Sequence, residues 1–123
     1  KVQQTFEKTG GLHAAGLFDA AGKLLILRED VGRHNAVDKV LGRALMDDLR
    51  SLEECALMVS GRASFEIMQK ALAGRVGVIC AVSAPSSLAV EFAHQNRQTL
   101  VGFLRGNTFN VYSHPERIVG LDR

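Results

Sequence analysis

The sequence has no tryptophan, one tyrosine and six phenylalanines. Platforms on which the bases of a single strand could stack are therefore scarce. It also lacks an excess of one charge. Fifteen basic against thirteen acidic residues leave +2, and the basic residues are scattered rather than massed. Neither feature points to nucleic acid. No apolar run is long enough to cross a membrane, and no signal-peptide pattern is visible. Only two cysteines occur, Cys55 and Cys80, far apart and each in apolar surroundings. They read as two buried reduced thiols, with a pairing left open. There is no CxxC pair, and no GxxxxGK[ST] or GxGxxG phosphate loop. His114-Pro115-Glu116 matches the first half of a zinc-deaminase signature, but the cysteine half is missing, so zinc chemistry and a metal site are rejected.

What is present suits one soluble globular domain spanning residues 1–123, 46% hydrophobic and 23% charged. Residues 1–9 read as a polar lead-in or the end of a helix. Leu12 to Phe18 and Leu24 to Leu27 are apolar runs joined by Asp19-Ala20-Ala21-Gly22-Lys23, a hairpin signal. Val37, Val40, Leu41 and Leu45 fall at helical spacing. Cys55 to Val59 reads as a buried strand. A helix follows with Phe65, Met68 and Leu72 inward, ending at Gly74. Val76 to Val82 is a strand, Pro85 to Asn96 a helix opened by its proline, and Thr99 to Leu104 and Phe109 to Tyr112 are closing strands. This alternation predicts an α/β fold with a mixed, largely parallel sheet and helices on both faces.

In such a sheet the loops leaving the carboxyl ends of parallel strands share one edge, where ligands bind. Four loops belong there: EDVGRHN (29–35), SGRAS (60–64), SAPSS (83–87) and RGNTFN (105–110). Three lead into helices, whose first amides and positive dipole ends suit an anion. Arg33, Arg62 and Arg105 add guanidinium forks, and Ser60, Ser64, Ser83, Ser86 and Ser87 add hydroxyls. Each piece has a plain alternative. SGRAS makes an N-cap, Glu29 and Asp30 favour a helix start, and Lys39 and Lys70 suit a solvated helix face. Convergence on one edge favours a phosphorylated ligand.

Five blocks then show a resemblance: TGGLHAA (9–15), EDVGRHNAVDK (29–39), SGRASFE (60–66), VSAPSSLAVE (82–91) and TLVGFLRGNTFNVYS (99–113). In order and spacing they resemble the carboxy-terminal part of the formate dehydrogenase accessory sulfurtransferases, the FdhD/NarQ family. The resemblance implies a cytidine-deaminase-like fold and a cytoplasmic homodimer. It implies that sulfur passes from a cysteine desulfurase to the bis-molybdopterin guanine dinucleotide cofactor, carrying molybdenum or tungsten, before the cofactor enters formate dehydrogenase. GDP is then a partial mimic of that ligand. Carried over as binding residues are Gly10, Gly11 and His13; Asp30, Gly32, Arg33, His34, Asn35 and Lys39; Ser60, Gly61, Arg62 and Ser64; Ser83, Ala84 and Pro85; and Phe103, Arg105 and Asn110. Arginines and serines suit phosphates, Asp30 or Glu66 suits the guanine N–H groups, and Phe103 a ring. Asp30 pairing with Arg33 is the plain alternative. The family's sulfur-carrying cysteines lie in a CxxC-type loop upstream of the TGG block, and Cys55 and Cys80 do not replace them. This chain is therefore expected to hold the cofactor without carrying sulfur, its amino-terminal part having been removed. A guanine-nucleotide-binding or interaction domain without transfer chemistry is the alternative.

Overall fold

The computed structural model describes residues 12–47, 52–105 and 108–117, with the backbone alone for 103–105, 108 and 117. Gly10, Gly11 and the polar lead-in lie outside the described residues, as do the side chains of Phe103 and Arg105.

The hairpin pairs β1 (His13–Phe18) with β2 (Leu24–Asp30). Asp19 closes its turn, its Oδ1 accepting from the amides of Ala21 and Lys23 at 3.0 and 2.9 Å, and Gly22 supplies the left-handed residue at φ 88°. β2 runs three residues past the expected Leu27, because Arg28, Glu29 and Asp30 pair with Ala15, Ala14 and His13. The expected loop is thus consumed from both sides, Glu29 and Asp30 by the strand and Arg33 to Asn35 by α1 (Arg33–Met46), and only Val31 and Gly32 separate the two.

β3 (Ala56–Val59), α2 (Phe65–Ala73), β4 (Val78–Ala81), α3 (Ser87–Gln95), β5 (Thr99–Arg105) and β6 (Thr108–Ser113) follow. Pro85 lies before α3 rather than in its first turn, because Ser86 is the N-cap. The sheet order is β2-β1-β3-β4-β5-β6. Four strands run the same way, but only β3–β4 and β4–β5 pair in parallel, so the parallel core is narrower than expected.

The expected helices on both faces are not found among the described residues. The crossovers β2–α1–β3, β3–α2–β4 and β4–α3–β5 all step in one direction along the sheet. Right-handed crossovers that step one way place their helices on one face. Accordingly Val37 and Val40 of α1, Ile67 and Met68 of α2, and Ala89 and Ala93 of α3 share one core with Leu17, Leu57, Ile79 and Leu100 of the sheet. The opposite pleat carries a smaller cluster of Ala14, Phe18 and Met58, bordered by Cys80. Of the predicted inward residues, Val37, Val40, Leu41 and Met68 do pack on the core, whereas Leu45 and Leu72 do not. Ala36 and Ala44 are buried while Leu45 is 81% exposed, and Ile67 and Ala71 are buried while Leu72 faces out. Small alanines let the helices sit close to the sheet, a choice that a search for large apolar residues overlooks.

Candidate functional site

Because β2 to β5 run in one direction, their carboxyl ends open on one edge, joined there by the starts of β1 and β6. The described residues of all four expected loops therefore share that edge. Contacts stitch the SGRAS loop to the SAPSS loop and to the start of β1. The Ser60 amide donates to Ala14 O at 3.0 Å, while Ser60 Oγ accepts from the Ala14 amide at 2.9 Å. Arg62 Nε donates to Ala84 O at 3.1 Å, and the Ser86 amide to Ala63 O at 3.0 Å. Gly61 faces His13: a β-carbon there would stand 3.6 Å from His13 Nδ1.

The three helix starts differ. Ser64 Oγ accepts from the Ile67 amide at 3.3 Å and caps α2, and Ser86 Oγ accepts from Ala89 at 3.1 Å and caps α3. Those hydroxyls serve the fold, as does that of Ser60. The α1 start has Gly32 as its cap residue and no side-chain cap. Its first amides are the ones left for an anion. His34 stands in that turn, its Nε2 buried with no hydrogen-bond partner among the described residues. Arg33 and Arg62 are exposed on the same edge. Among the described residues Arg62 keeps both terminal guanidinium nitrogens available, since its bond to Ala84 uses Nε. Asn110 is exposed at the adjoining start of β6.

Asp30 organises the charged residues of the β2–α1 junction. Its carboxylate meets Lys39 Nζ at 2.8 Å, the Gly32 amide at 2.9 Å and Asn35 Nδ2 at 3.3 Å. Lys39 also donates to Glu29 O at 3.1 Å. The Lys39 ammonium, then the Gly32 amide and Asn35, hold the Asp30 carboxyl down at about 2. Its partner is Lys39, not Arg33, and its oxygens are committed to bracing the β2–α1 turn. Of the two carboxylates considered for guanine, Glu66 is the exposed one without that commitment.

The cysteines are both free. Burial pushes the Cys80 thiol up to about 12, and burial together with nearby Asp19 and Glu54 raises Cys55. Neither is an activated thiolate. Two residues of this edge escaped the sequence reading, Gly102 and Tyr112. They lie two positions apart in the β5–β6 register, a relation visible only once the strands are paired.

This is a mixed α/β domain whose strand ends, basic side chains and one uncapped helix start form a single edge suited to an anionic ligand. The chain belongs to the FdhD/NarQ family, whose model matches residues 1–119. It is 58% identical over 117 residues to the sulfur carrier protein FdhD of Streptomyces avermitilis, covering 95% of this chain and 42% of that protein. It is 50% identical over 117 residues to the protein of the same name from Sulfurisphaera tokodaii, covering 95% and 46%. A crystal structure from Desulfotalea psychrophila, described as that of a formate dehydrogenase accessory protein, superposes with a TM-score of 0.83 at 36% identity, over 94% of this chain and 49% of that one. The chain thus spans less than half the length of these relatives. No described helix is long and apolar enough to cross a membrane.

Proposed function

We propose that this chain holds the guanine-dinucleotide end of the molybdenum or tungsten cofactor while sulfur is delivered to it during formate dehydrogenase maturation. The observation that carries the reading is the convergence of the exposed Arg33 and Arg62 with the uncapped α1 start on one edge. Pyrophosphate oxygens would take the α1 amides and the guanidinium forks. Glu66 would accept from guanine. GDP reproduces this end of the cofactor.

In this reading the sulfur comes as a persulfide from a cysteine desulfurase, formate dehydrogenase receives the finished cofactor, and the protein works as a homodimer in the cytoplasm. Cys55 and Cys80 take no part, because both thiols are desolvated and raised. Those same thiols favour the second reading, a guanine-nucleotide-binding or interaction domain without transfer chemistry. Calorimetric titration with GDP tests the shared core of both readings, with GMP and ADP as controls. Saturable GDP binding, weaker for ADP and weakened by Arg33→Ala and Arg62→Ala, is expected. A folded chain that ignores GDP would remove the guanine-nucleotide site from this edge.

A further inference from the structure

Gly102 is buried in β5, opposite Asn110 of β6. A β-carbon on it would lie 2.9 Å from Tyr112 Cε2, 3.0 Å from Pro85 Cδ and 3.3 Å from Ser83 O. Gly102 is not among the residues with a left-handed backbone. The glycine is therefore required by space and not by conformation. That space is filled by a tyrosine ring from the neighbouring strand and a proline ring from the SAPSS loop. Tyr112 is the diagonal neighbour of Gly102, a distance that aromatic side chains span. It also packs against the main core, so the wedge has a firm backing.

The loop seated on this wedge has a job. Ala84 O accepts from Arg62 Nε at 3.1 Å, and the Ser86 amide ties the loop to Ala63 at 3.0 Å. Arg62 is otherwise a long, exposed side chain with many rotamers. Fixing Nε leaves its two terminal nitrogens pre-aimed, so less freedom is lost when an anion binds.

We propose that Gly102 and Tyr112 are positioning residues for the anion site: they seat Pro85, the loop then places Ala84 O, and Ala84 O directs the Arg62 guanidinium toward the ligand. This rests on the anion-binding reading of the edge. Calorimetry with GDP and with pyrophosphate on wild type, Gly102→Ala, Arg62→Ala and the double variant tests it. Gly102→Ala weakens binding about three- to tenfold, the worth of one ordered hydrogen bond, and causes no further loss once Arg62 is alanine. A role confined to stability leaves the folded Gly102→Ala chain binding as wild type does, and either that result or an equal loss in both backgrounds, which is an effect not routed through Arg62, overturns the proposal. So does an Arg62→Ala chain that binds as wild type does. If Gly102→Ala does not fold, Tyr112→Leu enters the same cycle with the same expectation. A wild-type chain that binds neither probe overturns the underlying reading and the proposal with it, whereas additive losses in a binding chain overturn the proposal alone.

Discussion

Replacing Ser60 by alanine separates a structural serine from a ligand-binding one. Ser60 extends the β1–β3 ladder by one residue, its amide giving to Ala14 O and its hydroxyl taking from the Ala14 amide at 2.9 Å. Ala14 is 2% exposed, so without the hydroxyl its N–H is left with neither water nor a partner. Stranding a buried donor costs about 1–3 kcal/mol. A central value of about 2 kcal/mol lowers the melting temperature of a domain this size by about 8 °C. Urea unfolding gives the free energy directly, and the slope of the transition should not change. Ser60→Thr keeps an oxygen at the same place and should recover most of the loss. GDP affinity, measured well below the melting point, should change little. Unchanged stability together with a tenfold loss of GDP affinity would refute this, and would show that the hydroxyl faces the ligand instead.

Ser64→Ala and Ser86→Ala each remove a helix cap and should cost about 1 kcal/mol in urea unfolding. Gly22 stands at φ 88°, so Gly22→Ala should cost about 1 kcal/mol, read the same way. Asp30 titrates at about 2 in the folded chain against an ordinary 3.8. Its contribution is therefore complete above about pH 4 and is lost as pH falls toward 2. Melting temperatures recorded across that window should fall more steeply for wild type than for Asp30→Asn, and parallel curves would contradict the Asp30–Lys39 brace.

Element order was legible because the strands are short apolar runs punctuated by Gly, Pro and Ser, and the site edge followed from their alternation alone. The face on which the helices lie was a matter of strand order, which local pattern does not reveal. Once β2-β1-β3-β4-β5 is known, right-handed crossovers put all three described helices together. The helix stripes were legible at Val37, Val40 and Met68 but not at Leu45 and Leu72, because Ala44 and Ala71 fill the core beside them. Within the site, residue types announced the chemistry but not its use. Ser60, Ser64 and Ser86 turned out to serve backbone amides, and Asp30 a lysine nine residues further on, in the second turn of α1. The Gly102–Tyr112 wedge depends on pairing between two strands, so no linear motif could show it.

The central claim is a location, so the most direct measurement is amide chemical-shift mapping of the chain titrated with GDP. The account predicts that the largest shifts fall on Arg33 to Asn35, Ser60 to Ala63 and Ser83 to Ser86, with saturation at a common affinity. Shifts concentrated at the other end of the sheet, around Gly74 to Gly77 and Asn96 to Gln98, would place the ligand where the parallel strands begin and contradict it.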